Sequence, residues 1–153
     1  MTPESNLWTQ LKKNLPSKTI ATRIENRTGG GLPDVHLLWN GLPFWIELKT
    51  TKNNRVKISP QQIAWNYSYS LNGGLNFFLV KCLSSKNLFL FRGNQGPSLL
   101  DLGLCDSASH CVLRSCDFAS FFATLRPIIV DHYTKQLEKE NPGASTGAKE
   151  ETG

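Results

Sequence analysis

Two apolar segments joined by a four-residue Asn-Gly turn constrain the fold of this sequence most strongly. The segment 34–39, DVHLLW, precedes the turn NGLP, and the segment 44–50, FWIELKT, follows it. Apolar runs of this length favour strands, and an Asn-Gly pair between two such runs favours a tight hairpin. The segment 19–26, TIATRIEN, places Ile20 and Ile24 in alternation with charged residues and predicts a third, half-buried strand. Together these segments predict an antiparallel meander.

Further helices and strands are predicted on both sides of this meander. Leucines and a tryptophan recur at helical spacing within residues 5–15, before Pro16 ends that pattern. A second helix is predicted over about 60–72, where Ser59 is the N-cap and a proline occupies the first position. The apolar segments 75–82 and 87–93 predict two strands that can join the sheet through a crossover connection. We therefore expect an α/β fold with a mixed β-sheet flanked by helices.

The C-terminal part of the sequence carries weaker patterns. Residues 93–116 contain scattered Gly, Ser and Cys, and the short apolar piece SLLDL within them predicts an edge strand. Asp117 is predicted to cap a last helix. Residues 138–153 have the composition of a disordered tail. The chain of 153 residues is therefore expected to form one domain over 1–137, followed by that tail.

The charge of the chain is consistent with a polyanionic partner. Net charge is +5, and residues 138–153 contribute four glutamates against two lysines, so the rest of the chain carries +7. Basic proteins of this kind commonly bind nucleic acid, although a basic surface also serves solubility. Charge alone leaves both interpretations open.

The four cysteines favour reduced thiols in a cytoplasmic protein, because they form no CxxC pair and no signal peptide precedes them. The set Cys105, His110, Cys111 and Cys116 contains zinc-ligating residue types. Its separations of five or six residues match none of the common structural zinc patterns. Buried or incidental thiols are the favoured interpretation. No apolar run reaches the ~18 residues of a membrane span.

The strand around Glu47 carries the candidate chemistry. Side chains alternate along a strand, so Glu47 and Lys49 point to one face while Leu48 points to the other. Three apolar residues precede Glu47, and a carboxylate buried there requires a metal ion, a cation or strong hydrogen bonds. The alternative is an ion pair on an exposed face, with Asp34 capping a turn.

A metal site follows if Asp34 lies beside Glu47 across the meander. Two carboxylates can bind one Mg²⁺ ion, which takes oxygen ligands at about 2.1 Å, and we expect Mn²⁺ to substitute for it. Such an ion would polarise a phosphoryl oxygen, while Lys49 orients the attacking water or stabilises developing charge. This arrangement predicts hydrolysis of phosphodiester bonds.

The pattern Pro33-Asp34, a spacer and Glu47-Leu48-Lys49 resembles the signature of the PD-(D/E)XK nuclease superfamily. Within it, the segments GGGLPDV, IELKT and SPQQ are similar to those of VRR-NUC domains, and the likeness covers roughly residues 4–82. It extends to archaeal Holliday-junction resolvases and to phage resolvases. The resemblance implies a restriction-endonuclease-like core and a metal-dependent DNA endonuclease that is encoded by a phage and located in the cytoplasm of a phage-infected or bacterial host. Branched or replication and repair intermediates are the expected DNA substrates.

The resemblance also implies roles for further residues. Glu4 corresponds to a helix-one glutamate that helps to bind metal, and the backbone carbonyl of Leu48 to a further metal ligand. Gln62 corresponds to a helix-two glutamine in the catalytic site. Glu4 is equally suited to the first turn of a helix, where acids are favourable, and Glu25 is a rival acid. Gln62 could instead be a solvated helix residue.

The basic residues nearest to this motif in the sequence are predicted to contact DNA phosphates. They are Arg23, Arg27, Lys52, Arg55 and Lys57. A homodimer would suit cleavage of both strands of a junction. The aromatic residues of the second helix could stack on bases, although packing is the more common role of such residues. The alternative function is a nucleic-acid-binding module that has the nuclease fold without catalysis.

Overall fold

The computed structural model describes residues 2–25, 30–107 and 110–141 of the chain. The helices are α1 (Pro3–Lys13), α2 (Pro60–Leu71), α3 (Gly96–Ser107) and α4 (Phe118–Glu140). The strands are β1 (Thr19–Arg23), β2 (Val35–Trp39), β3 (Leu42–Thr51), β4 (Asn76–Cys82), β5 (Leu88–Arg92) and β6 (Leu113–Ser115). Among the described residues, no helix is both long enough and apolar enough to cross a membrane.

The six strands form one mixed sheet in the order β1-β2-β3-β4-β5-β6. The first three strands are antiparallel neighbours. Helix α2 then crosses over, so that β4 pairs in parallel with β3, and β5 and β6 add antiparallel pairs at the far side. The predicted α/β fold, with its meander, its crossover strands and its flanking helices, is confirmed.

The sheet has a different hydrophobic core on each face. Leu7 of α1 and Phe121 of α4 pack with Leu48 in the larger core. On the other face, Phe78 and Val80 of β4 pack with residues from α2, α3 and the loop before α2. Glu47 and Lys49 are in register with Phe78 and Val80, so they lie on this second face. The alternation along β3 therefore separates the core residue Leu48 from the two charged residues, as predicted.

Helix α2 is held on the sheet by buried amide groups. The Asn76 side chain donates from Nδ2 to both the carbonyl and the Oδ1 of Asn66, at 2.9 Å each. Asn66 in turn donates to the carbonyl of Gln62 at 2.8 Å. Both asparagines are fully buried. Because a buried polar group is costly without a partner, this pair specifies where α2 lies along β4.

Two predicted elements differ from the structure. The piece SLLDL is not an edge strand but part of α3, and β6 forms the edge of the sheet beside β5. Leu99 of this piece packs in the second core, and Leu104 reaches the same core beyond a kink at Gly103, which has φ of +72°. In β1, Ile20 is 64% exposed and Ala21 packs on the larger core instead. The predicted face was wrong, because Ala21 and not Ile20 faces the larger core.

The predicted domain boundary falls inside α4, which continues through residues 138–140. The remainder of the predicted tail, 142–153, lies outside the described residues.

The Asn66–Asn76 pair generates a prediction about stability. Asn66→Ala should lower the free energy of unfolding by about 1–3 kcal/mol, because it removes the Oδ1 acceptor of the buried Asn76 amide and leaves only the backbone carbonyl of residue 66 as its partner. Urea unfolding followed by circular dichroism measures this change. Gln61→Ala, an exposed substitution on the same helix, should stay within about 0.5 kcal/mol of the wild type. Equal stabilities of the two variants would contradict the role assigned to the pair.

Candidate active site

Asp34 lies where β2 separates from β3. The pairing of the two strands begins at Val35, opposite Ile46, so β3 continues beyond it with that edge uncovered by β2. The carboxylate of Asp34 occupies this edge and accepts a hydrogen bond at its Oδ2 from the backbone N–H of Leu48, at 2.9 Å. The meander therefore places Asp34 beside the Glu47–Lys49 segment.

Glu47 is a buried carboxylate with an incomplete set of partners. Its side chain is 1% exposed. Oε1 accepts a hydrogen bond from Nε2 of Gln62 at 2.6 Å, and Nζ of Lys49 lies 3.8 Å from the same oxygen. Oε2 is buried and has no hydrogen-bond partner within the described part of the chain. Burial, and after it the nearby charge of Asp34, raises the pKa of Glu47 from 4.5 to about 9.

Gln62 connects the acid, the lysine and the start of α2. Its Oε1 accepts from Nζ of Lys49 at 2.9 Å and from the backbone N–H of Ser59 at 3.1 Å. Ser59 completes a capping box by accepting from the backbone N–H of Gln62. The geometry that begins the helix therefore also fixes the amide between Glu47 and Lys49.

Gly31 brings the segment before Asp34 against the start of α2. It has φ of +77°, and a Cβ at this position would lie 2.2 Å from the carbonyl oxygen of Gln61. Only glycine allows both this backbone conformation and this approach. The glycine-rich segment noted in the sequence therefore lets Asp34 and Gln62 approach the same site.

The donor set at this site fits a divalent metal ion of the Mg²⁺ type. It offers the carboxylates of Asp34 and Glu47, including the unpartnered Oε2. In an extended strand, the N–H and C=O of one residue point to the same side, so the carbonyl of Leu48 faces the edge where Asp34 lies. The described residues contain no cluster of three His, Cys, Asp or Glu side chains. Mg²⁺ does not need one, because it commonly binds through one or two carboxylates, water and substrate phosphate.

The other predicted acids lie elsewhere. Glu4 is in the first turn of α1, whose Leu7 and Leu11 pack on the opposite face of the sheet from Glu47. The structure does not group it with the two site acids among the described residues. Glu25 is exposed just after β1. The metal-binding role of Glu4 stays a prediction without support from this geometry.

Most of the predicted DNA-contacting residues are exposed around the end of β3 or at the end of β1. Lys52, Arg55 and Lys57 lie in the loop between β3 and α2, and Arg23 ends β1. Arg55 donates from Nη1 to the carbonyl of Asp101 at 2.8 Å, so its guanidinium also fixes this loop to α3. Arg27 lies outside the described residues.

The set proposed as a zinc alternative is not assembled in the described part of the chain. No group of three ligands that includes Cys111 or Cys116 is present there. The side chain of Cys105 lies outside the described residues.

His36 packs edge-on against Trp45, with ring centroids 4.8 Å apart.

Sequence reasoning missed the two asparagines that hold α2 in place. Asn76 is the one polar residue at the start of an otherwise apolar strand, NFFLV, and this isolation was the available signal. Its partner Asn66 is indistinguishable in sequence from a solvated helix residue.

Comparison with known proteins adds little to this geometry. No family model matches the chain, and no curated protein matches it. Among solved structures, the chain is similar to a Holliday junction resolvase from the archaeal hyperthermophile Archaeoglobus fulgidus. The two are 17% identical with a TM-score of 0.46, and the match covers 65% of this chain and 90% of that one. A likeness of this size decides neither activity nor site residues, which have to be argued from the site itself.

The raised pKa of Glu47 generates a prediction for the metal-free protein. Between pH 4.5 and about 9, the folded state keeps a proton that the unfolded state has lost, so the free energy of unfolding should fall as pH rises through this window. Glu47→Gln should remove most of this fall, whereas Glu25→Gln, at an exposed position, should not. Urea unfolding in EDTA at pH 5, 7 and 9 measures the effect. Parallel pH profiles for the wild type and Glu47→Gln would contradict the assignment.

Proposed function

We propose that this protein is a metal-dependent DNA endonuclease that hydrolyses phosphodiester bonds, with Mg²⁺ as its ion and Mn²⁺ as a substitute. One observation carries the proposal. The buried carboxylate of Glu47 has an unpartnered oxygen, and it lies within one hydrogen-bonded group that also contains Gln62 and Lys49, with Asp34 beside it. A buried acid next to a second acid is unfavourable in itself, and a divalent cation would relieve both costs.

When bound, Mg²⁺ supplies a Lewis acid that polarises a phosphoryl oxygen and lowers the pKa of water. Asp34, Glu47 and the backbone carbonyl of Leu48 would hold it. Glu47 must release its proton for this role, so metal affinity should increase with pH.

Lys49 provides the positive charge on the substrate side of the site. Its side chain is 14% exposed, so it is packed over most of its surface but not sealed from a bound substrate. The amide oxygen of Gln62 accepts a hydrogen bond from this ammonium group, and the amide nitrogen donates one to Glu47. Lys49 can therefore donate to a phosphoryl oxygen or to the attacking water from a fixed position. Such preorganised charge stabilises the transition state without reorganisation.

The exposed lysines and arginines at the ends of β1 and β3 would bind the DNA backbone. These contacts position the DNA without reading its sequence. Thr51 holds their loop immediately after the site, because its hydroxyl donates to the carbonyl of Arg55 at 2.6 Å. We propose branched DNA or replication and repair intermediates as substrates. Cleavage of both strands of a junction would require a homodimer, and nicking would not.

The proposal predicts which side chains cleavage requires. In Mg²⁺, and again in Mn²⁺, the wild type should cut supercoiled plasmid or a four-way junction, and EDTA should stop the reaction. Asp34→Asn and Lys49→Met keep the approximate shape of each side chain and should lower the rate by about 100-fold or more. Glu25→Gln, which changes an exposed acid outside the site, should cut like the wild type.

Two results of the same assay would contradict the proposal. Thermal unfolding first confirms that each variant is folded. Binding of both DNAs with no cleavage in either metal would favour the binding module that lacks catalysis. Cleavage that persists in Asp34→Asn and Lys49→Met would place the catalytic site elsewhere.

A further inference from the structure

Four partly exposed rings form a continuous row that begins beside the candidate active site. His36 contacts Trp45 edge-on, and Trp45 contacts Trp65 edge-on with centroids 5.9 Å apart. Trp65 stacks on Tyr69 with centroids 4.8 Å apart and an angle of 11° between the planes. None of the four is in either buried core cluster. The row is therefore an aromatic surface of the sheet and of α2.

The two elements that carry this surface, β3 and α2, also carry residues of the candidate active site. Trp45 lies two residues before Glu47 on the same face of β3, which is ~7 Å along a strand. Trp65 lies three residues after Gln62, about one turn along α2. Lys49 and the basic loop follow Glu47 in the opposite direction along β3. The site thus has a basic side that suits phosphates and an aromatic side that does not.

The aromatic side contains a shallow groove with a volume of about 580 Å³. One face of α2 forms most of it, and Gly30 of the glycine-rich segment lies across from that face. The lining residues of α2 include Gln61, Ala64, Trp65, Ser68 and Tyr69. The volume is within the usual range of ligand sites, about 300–1,000 Å³. The two stacked rings, with amide and hydroxyl groups beside them, match the flat faces and polar edges of a nucleobase.

We propose that this groove binds an unpaired nucleobase of the DNA, next to the phosphate that is cleaved. The inference rests on the proposed function and specifies its substrate class. In a continuous duplex both faces of a base are covered by its neighbours, whereas a base at a bulge, flap or branch can turn out and stack on protein rings. The protein therefore selects DNA that has an unpaired nucleotide at the cleavage position.

Binding to two duplexes tests the groove separately from catalysis. They differ only in one extra, unpaired 2-aminopurine, whose fluorescence falls when it stacks. Affinity and fluorescence are measured without divalent metal and again with Ca²⁺. The wild type should bind the bulged duplex more tightly and quench its fluorescence. Trp65→Ala should reduce that preference by about 5- to 100-fold.

Two further variants control for damage to the fold. Ala64→Gln fills the groove from an exposed helix position without removing a ring, and it should reduce the preference as well. Tyr67→Ala removes a 43% exposed ring from the same helix, outside the groove, and should keep the preference. Equal affinity of the wild type for both duplexes would overturn the proposal. The proposal would also be overturned if the chain formed a dimer that Ala64→Gln dissociates while the preference for bulged DNA is unchanged. A second copy of the chain would then occupy the groove.

Cleavage of the same duplexes in Mg²⁺ separates this inference from the proposed function. One outcome is that the wild type binds the bulged duplex more tightly and quenches its fluorescence but cuts neither DNA in Mg²⁺ or Mn²⁺. The nuclease proposal then fails, and the proposed base-binding groove is retained. If the wild type cuts both duplexes equally and Trp65→Ala does the same, the groove proposal fails and the nuclease stands.

Discussion

The burial of one carboxylate, that of Glu47, is the constraint on which the site depends. A carboxyl group that is 1% exposed cannot be solvated by water, and its apolar surroundings favour the protonated form. Gln62 satisfies one oxygen, and Lys49 lies near the same oxygen. The second oxygen is left for a ligand that the described chain does not provide. We propose that this unpartnered oxygen makes a strand interior, otherwise a purely structural part of the sheet, a site for a cation.

The fold positions the partners of Glu47 through two simple features. Pairing between β2 and β3 ends at Ile46, which leaves the next residues of β3 accessible to Asp34. The crossover through α2 then brings Gln62 over the same face, because β4 is parallel to β3 and the helix must return across the sheet. The buried pair Asn66–Asn76 fixes the helix in that position. The geometry of the candidate site and the stability of the fold therefore depend on the same contacts.

Much of this arrangement could be predicted because it is encoded locally. The Asn-Gly turn, the alternation around Glu47 and the Ser-Pro start of α2 each act over a few residues, and the strands and the helix that they predict are present. The face of β1 and the piece SLLDL were mispredicted because both depend on which helix covers which part of the sheet. Short apolar runs fit a strand and a buried helix equally well.

The candidate site also has a part that could be predicted from the sequence and a part that could not. Asp34, Glu47, Lys49 and Gln62 are brought together because strand alternation and a helix cap determine their directions. The position of Glu4 depends on how α1 packs against the sheet, which no local pattern specifies. The row of rings likewise depends on β3 and α2 meeting across twenty residues of sequence, from Trp45 to Trp65, so these rings looked like ordinary packing residues in the sequence.

The central claim is that a divalent cation binds between Asp34 and Glu47 at the edge of β3. Anomalous diffraction from crystals grown with Mn²⁺ tests it most directly. We expect a single strong peak within coordination distance of both carboxylates and of the Leu48 carbonyl, and no such peak in Glu47→Gln. A peak at another place in the protein, or the same peak in Glu47→Gln, would contradict it.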